Sequence, residues 1–212
     1  MLSLYNRLAG HGLERLTALS DGVFAFAMTV LFIDIRVPQL DRLASEHDLW
    51  VAVVALAPRF VMYLMSFLTL GIFWVGQQTQ LNHIARSDRD FAWIHIVFLA
   101  TIGIVPFSTA LLAEYITYRT ALLIYWFNIL VLGIEIAVSW SYAVRHKLLR
   151  DDAPQGLSRA IYGRVVIAQI LYGCGAALCF VNTYWSIGFI VAVQLYYAFA
   201  PFQHLARRER SA

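Results

Sequence analysis

One apolar stretch near the start of the chain carries polar side chains at unusual positions. Ser20 and Asp21 lie early in this stretch, and Thr29 lies further inside it. An ionised aspartate exposed at the centre of a bilayer costs roughly 2.5 to 3.5 kcal/mol, so Asp21 is expected to be paired, buried in protein or close to the interface. Polar residues at a helix start also commonly serve only as caps. On these residues alone, both interpretations stay open.

The same stretch places a set of side chains on one helix face. At 100° per residue, Gly22, Phe26, Thr29 and Ile33 fall within about 60° of one another. A hydroxyl on such a face can replace part of the hydration shell of a cation, and apolar neighbours can exclude water. A stripe of this kind is also common at plain helix–helix contacts.

Two further polar groups lie inside apolar stretches, Glu135 and His95. An acid within a membrane segment is a functional candidate by default, although burial of Glu135 with a neutral proton is the simpler interpretation. A histidine there more often makes structural hydrogen bonds than carries protons. Together the two residues allow a proton-coupled secondary transporter, but the chain lacks the internal repeat that many such transporters show.

Composition requires these groups to be positioned by membrane helices. Of the 212 residues, 60% are hydrophobic and 14% are charged, and the mean hydropathy is +0.66. A helix needs about 20 mostly apolar residues to cross a bilayer, and each apolar run is continuous rather than alternating as in a barrel strand. We predict an all-α integral membrane protein with one six-helix domain over residues 1–212. The predicted spans are 16–35, 60–77, 91–112, 121–144, 165–181 and 185–201.

The basic residues predict the orientation of these spans. Of the 16 Lys and Arg residues, Arg36, Arg42, Arg59 and Arg119 fall on one side, and the other 12 fall on the opposite side. The positive-inside bias therefore predicts cytoplasmic N and C termini. The basic residues flank the spans and form no aromatic-interleaved patch, so no nucleic-acid partner is expected.

Other function classes lack their required residues. The sequence has no clustered nucleophile and base, so an enzyme is not expected. His95 is the only histidine within a predicted span, which argues against haem ligation, and no zinc or iron–sulfur ligand spacing is present. We expect no cofactor and no metal site beyond a permeating ion.

The segment Arg15-Leu16-Thr17-Ala18-Leu19-Ser20-Asp21 resembles the R-x-x-x-F-S-D signature of the transmembrane protein 175 family, which comprises potassium channels of lysosomes and bacteria. Leu19 replaces the signature phenylalanine. Further agreement lies in Ser66-Phe67, Phe73-Trp74, Asp90, Trp93, Pro106-Phe107-Ser108-Thr109 and Glu114-Tyr115. The resemblance covers residues 13–115 by motif and the rest by hydropathy.

The resemblance implies a homotetramer in which four first helices line a central pore for K⁺ and other monovalent cations, within a lipid bilayer. Apolar rings would close such a pore by dewetting, and a hydroxyl ring would contact the ion. Carried over by position, the constriction and pore lining are Gly22, Phe26, Thr29, Val30 and Ile33. Asp34 would lie at the extracellular mouth and raise the local cation concentration.

The resemblance also implies a polar network behind the pore. In the family, the signature residues are held by hydrogen bonds from the second and third helices, and the matching residues here are Arg15, Ser20, Asp21, Trp74, Gln77 and His95. Gln77 replaces a usual histidine, His95 replaces a usual asparagine, and Phe26 replaces an aliphatic side chain. One six-helix unit per chain is typical of the bacterial members, so the plasma membrane of a prokaryote is the expected location.

Overall fold

The computed structural model describes residues 12–33, 35–38 and 45–209, with side chains described as far as residue 199. Helices are the only regular elements within these ranges, and no β-strand occurs there. The all-α prediction is confirmed. The α-helices are α1 (Leu13–Ile33), α2 (Glu46–Val54), α3 (Ala57–Leu81), α4 (Arg89–Glu114), α5 (Arg119–Arg145), α6 (Leu157–Ala177) and α7 (Thr183–Glu209), with a 3-10 turn at Leu178–Phe180 after α6.

Five stretches of the described chain are long and apolar enough to cross a membrane. They are Leu13–Ile33, Glu46–Leu81, Arg89–Glu114, Arg119–Arg145 and Leu157–Phe180. Each overlaps one of the first five predicted spans; three of these spans lie wholly inside, whereas 16–35 and 165–181 end two residues and one residue beyond their stretches. The sixth predicted span, 185–201, falls within α7, and its passage through the membrane stays a prediction.

The apolar segment 49–57 is too short to cross a bilayer, and the sequence leaves open whether it extends the second span or lies at the interface. In the structure most of it forms α2, which Ser45 caps by accepting a hydrogen bond from the Asp48 backbone N–H at 3.2 Å. A turn at residues 55–56 separates α2 from α3. Pro58 lies in the first turn of α3, where its missing N–H costs no helix bond.

The long helix α4 lies at the centre of the fold and packs against α1, α3 and α5. Its start is fixed by Asp88, whose carboxylate accepts a hydrogen bond from the Phe91 N–H at 2.8 Å. Phe98, Ile102 and Val105 follow along its buried face. This central position lets α4 present polar side chains to the back of α1.

Two loops at one end of the bundle are joined through their backbones. The Ala85 N–H donates to the Leu148 carbonyl at 2.8 Å, and the Arg150 N–H donates to the His83 carbonyl at 2.9 Å. These bonds flank an isolated antiparallel bridge between Ile84 and Leu149. The loop between α3 and α4 is thereby tied to the loop between α5 and α6.

Candidate functional site

Helix α1 has two faces of different character. Its inner face is buried and carries Leu16, Ser20, Phe24, Ala27 and Leu31. This spacing of three or four residues places all five on one side of a helix. The inner face therefore packs into the bundle, and it fixes which residues of α1 remain outside.

The outer face of α1 carries the four residues of the sequence stripe. Gly22 and Thr29 are exposed, and Phe26 and Ile33 have 71% and 69% of their surface accessible. We call Gly22, Phe26, Thr29 and Ile33 the α1 stripe. Val30, which the family resemblance adds to the same lining, is half-buried at the edge of the stripe. The stripe is thus available to another chain, to lipid or to a water-filled path.

Thr29 has a chemical property that its neighbours lack. Its hydroxyl donates to the Ala25 carbonyl at 2.8 Å, so its hydrogen is used within the helix. The lone pairs of the oxygen remain free to accept. Thr29 therefore presents an oxygen ligand on an otherwise apolar surface, which suits a partly dehydrated cation.

Behind the stripe, three buried side chains from three helices meet. The Gln77 amide nitrogen lies 2.8 Å from Ser20 Oγ and 2.6 Å from His95 Nε2. Ser20 Oγ and His95 Nε2 are 2.7 Å apart. We call Ser20, Gln77 and His95 the Ser20 cluster. Because each member comes from a different helix, the cluster ties α1 to α3 and α4 at one level.

Asp21, the next residue along α1, has its own partners on α3. Its Oδ1 accepts hydrogen bonds from Trp74 Nε1 and from Gln78 Nε2, both at 2.8 Å. The pairing expected for this carboxylate is therefore present, although Asp21 itself is exposed at the edge of the helix. Sequence reasoning did not identify Gln78. Its position four residues after Trp74, on the same face of α3, was the available signal.

The other two residues of the predicted site are placed differently. Arg15 is exposed, and it forms no hydrogen bond or ion pair with the part of the chain that the structure describes. The structure therefore does not bring it into the Ser20 cluster. Asp34, predicted at the pore mouth, lies outside the described residues.

Glu135 and His95 have separate partners. Glu135 Oε1 accepts a hydrogen bond from the Thr101 hydroxyl at 2.9 Å, between α5 and α4. Asn128, on the same helix as Glu135, donates to the Thr101 carbonyl at 3.3 Å. These contacts form a second polar link, between α4 and α5. The sequence did not predict it, because the Thr101 hydroxyl lies on a neighbouring helix and no local pattern pairs it with Glu135.

A third polar group lies deeper, between α3, α4, α5 and α7. The Tyr125 hydroxyl is 3.3 Å from Ser66 Oγ and 3.0 Å from Thr69 Oγ1. Thr109 donates to Ser66 at 2.7 Å, and Gln194 donates to Thr69 at 2.7 Å. Sequence reasoning missed this network, because hydroxyl residues within spans are also common as helix-internal donors.

No cluster of three or more His, Cys, Asp or Glu suited to a metal occurs among the residues that the structure describes.

Taken together, these features define a helical membrane protein in which one helix presents an open apolar face and is bonded from behind. The family described as the endosomal/lysosomal potassium channel TMEM175 matches residues 15–106. A potassium channel of Streptomyces collinus is 32% identical over 192 residues, which cover 87% of this chain and 91% of the relative. The chain belongs to the TMEM175 family, whose members are ion channels, and it is not an enzyme.

Two further comparisons extend this result. The crystal structure of a lysosomal potassium-selective channel TMEM175 homolog from Chamaesiphon minutus superposes with a TM-score of 0.75 at 30% identity, covering 89% of this chain and 97% of that chain. The human endosomal/lysosomal proton channel TMEM175 is 24% identical over 186 residues, which cover 86% of this chain and 36% of the human protein. The fold and the relatives thus agree along most of the chain.

Proposed function

We propose that this protein is a homotetrameric, potassium-preferring cation channel whose pore is lined by four copies of α1. The observation that carries the proposal is the α1 stripe, an exposed face that combines two large apolar side chains with one free hydroxyl oxygen. The relatives named as potassium channels support the choice of ion. A ring of four identical helices is a closed symmetric arrangement, as most homo-oligomers have.

In this proposal Phe26 and Ile33 form two apolar rings, and Thr29 forms a hydroxyl ring between them. Four apolar side chains around a narrow path exclude water, which makes the path non-conducting until the helices separate or rotate. The Thr29 oxygens would replace part of the hydration shell of the ion. Gly22 and Val30 complete the lining, and Asp34 would attract cations to the extracellular mouth.

The residues behind the stripe hold it in register. The Ser20 cluster and the Asp21 pair fix both the rotation of α1 and its height relative to α3 and α4. A helix bonded at two successive residues to different partners cannot turn without breaking one of these contacts. We infer that opening moves α1 together with the part of α3 to which it is bonded.

The same proposal includes the position of the protein in the cell. The lengths of the apolar runs support six spans, the charge distribution supports cytoplasmic termini, and the bacterial relatives support the plasma membrane of a prokaryote. Tagging each terminus and testing its accessibility in spheroplasts would check the orientation. A periplasmic terminus would overturn it.

The central experiment is K⁺ flux from liposomes containing the purified protein. Phe26→Ala and Ile33→Ala are expected to raise flux by about tenfold, equivalent to a barrier lower by about 1.4 kcal/mol. The matched control is Phe127→Ala, which removes a similarly exposed phenyl ring (60%) from α5 rather than α1. Thr29→Val is expected to change the ratio of K⁺ to Na⁺ flux.

The proposal has two independent ways to fail. A density map without four-fold symmetry around α1, or a monomer in mild detergent, would remove the central pore. Unchanged flux and selectivity in all three α1 variants would remove the role of the stripe even in a tetramer.

Proton conduction is a second candidate, favoured by the human relative that is named as a proton channel. A pH-sensitive dye inside the same liposomes would measure it. If protons and K⁺ share the pore, Phe26→Ala raises both fluxes together. A proton flux that does not respond to any substitution in the stripe would indicate another path.

The proton-coupled transporter remains a separate hypothesis that uses Glu135 and His95. The contacts described above give these residues different partners, Thr101 for one and the Ser20 cluster for the other. A transporter would show saturable, pH-driven uptake that is abolished by Glu135→Gln. A channel would retain its K⁺ flux in the same variant.

A further inference from the structure

A cavity lies on the far side of α3 from α1. It is enclosed between α3, α5 and α6, has a volume of about 90 Å³ and opens on one side. Among its lining residues are Gly76 and Gln80 from α3, Gly133 from α5, and Arg164, Gln169 and Tyr172 from α6. It contains no residue of the α1 stripe or of the Ser20 cluster, so the proposed pore does not account for it.

The cavity wall includes a polar atom without a partner. The Gln169 side-chain oxygen is buried and finds no hydrogen bond among the described residues, whereas the Tyr172 hydroxyl lies beside the side chains of Thr69 and Gln194. Tyr172 has only 3% of its surface accessible. The Gln80 amide has a long contact of 3.4 Å to the Ile136 carbonyl. Buried polar groups nearly always have a partner, so the Gln169 oxygen is a candidate acceptor for a ligand in this cavity.

Two glycines shape the space. A Cβ on Gly133 would overlap the side-chain amide of Gln169, so glycine at this position is what admits the amide. A Cβ on Gly76 would meet no atom within 4 Å, so the absent side chain there leaves room. One glycine therefore positions a hydrogen-bonding group, and the other preserves the space beside it.

We propose that this cavity binds a small amphiphile with an apolar body and a hydroxyl or amide head group. Most of the lining is apolar, including Ile72, Phe73 and Val165, which suits the body of the ligand. The Gln169 oxygen requires a donor, which a hydroxyl or amide supplies. Dry cavities of about 150 Å³ lined only by apolar groups accept benzene. The present cavity is smaller, at about 90 Å³, so a ligand of similar width would lie partly outside its open side.

The ligand would contact the helix that holds α1. Gly76 and Gln80 line the cavity, whereas Gln77 and Gln78, between them in sequence, bond to Ser20 and Asp21 on another face of the same helix. Occupancy of the cavity would therefore stabilise one position of α3 and, through these bonds, one position of α1. This modulatory effect rests on the proposed channel function, whereas binding itself does not.

Binding can be tested with 4-fluorobenzyl alcohol and the full chain in lipid nanodiscs, using ¹⁹F NMR line broadening as the readout. Saturable broadening is expected for the unmodified protein. Gly76→Leu, which fills the cavity, should abolish it. The matched control is Gly71→Leu on the same helix, because a Cβ there also meets nothing within 4 Å while Gly71 lies outside the cavity lining. Equal broadening in all three proteins, or in empty nanodiscs, would overturn the site.

A second comparison tests the hydrogen bond and does not depend on the folding of Gly76→Leu. Gln169→Leu should weaken binding of the alcohol about three- to tenfold, the effect expected for one net hydrogen bond. 4-Fluorotoluene, which lacks the hydroxyl, should bind the unmodified protein more weakly by a similar factor. Equal binding of the two probes would overturn the assignment of a polar head group. An absence of saturable binding would leave a hydrated cavity and would overturn the proposal.

The modulatory step is measured separately as K⁺ flux with and without the alcohol. A change in flux is expected in the unmodified protein and in Gly71→Leu, and no change in Gly76→Leu. If the alcohol binds but all three fluxes stay constant, modulation is refuted while the binding site stands. Unchanged flux and selectivity in Phe26→Ala, Ile33→Ala and Thr29→Val would remove the role of the α1 stripe independently of either result.

Discussion

The two faces of α1 differ in burial and in the contacts that they make. On the inner face, Ser20 is fully buried and meets two polar side chains from neighbouring helices. On the outer face, Phe26 and Ile33 are exposed and have no partner of comparable specificity within the described chain. The inner face therefore determines where α1 lies, and the outer face is left to determine what it contacts. We expect substitutions on the inner face to change stability first, and substitutions on the outer face to change transport first.

The largest loss of stability should follow from Ser20→Ala. The substitution removes the hydroxyl that contacts both Gln77 and His95, which keep only their contact with each other, and the loss of a buried hydrogen-bonding partner costs about 1 to 3 kcal/mol. Thr29→Ala is the matched variant on the outer face, and it should change the free energy of unfolding by no more than about 0.5 kcal/mol. Thermal or denaturant unfolding in detergent measures both. Similar losses in the two variants would abolish the contrast between the faces.

A smaller effect is expected when the donors to Asp21 are removed. Trp74→Phe combined with Gln78→Leu deletes both hydrogen bonds to its carboxylate. Because Asp21 is exposed, solvent replaces part of the loss, and we expect a cost of about 1 kcal/mol or less. The single variants should each give roughly half of it. A double variant as unstable as Ser20→Ala would place Asp21 within the buried network rather than at its edge.

The link between α4 and α5 allows a comparable test away from α1. Thr101→Val removes the donor to Glu135 and should cost about 1 kcal/mol. Glu135→Gln keeps an acceptor oxygen toward Thr101 and should be close to neutral in the same unfolding measurement. A K⁺ flux that survives Glu135→Gln would support a structural role for this acid. Loss of flux with unchanged stability would instead support a role in transport.

The last prediction concerns the sign of the effect at two glycines. Gly22→Ala adds a methyl group where nothing lies within 4 Å, so the gain in helix propensity should stabilise the isolated subunit by roughly 0.5 to 1 kcal/mol. Gly133→Ala adds the same group where it overlaps Gln169, and it should destabilise the subunit. Opposite signs in unfolding experiments would confirm that only one of the two glycines is packed. A destabilising Gly22→Ala would indicate that the outer face of α1 is tightly packed in the assembly.

The helical fold could be predicted because long apolar runs leave few alternatives in a membrane. The division of the second stretch into α2 and α3 could not be located by hydropathy, since residues on both sides of the turn are apolar. Pro58 indicated a helix start or a kink nearby, and it lies in the first turn of α3. An end marked by Pro was thus more predictable than an end within an apolar run.

The contacts of the candidate site also differ in how far the sequence could predict them. The relation between Ser20, Gln77 and His95 could be predicted only through the family resemblance, because residues far apart in sequence meet through packing that no local pattern encodes. Gln78 was missed although it bonds to Asp21 as closely as Trp74 does. Helical periodicity identified the stripe on α1, but periodicity cannot specify which face of a span is turned outward. The burial of Leu16, Phe24 and Leu31 is the additional information that the structure supplies.

The bridge between Ile84 and Leu149 has a consequence for the biogenesis of the protein. Its flanking bonds join the loop after α3 to the loop after α5, so they cannot form until the ribosome has completed α5. Until then, the hairpin of α3 and α4 can be held to α1 only through the Ser20 cluster and the Asp21 pair. Closure of the bridge would therefore be a later step in synthesis, in which the loop after α5 joins a group of helices already bonded to one another.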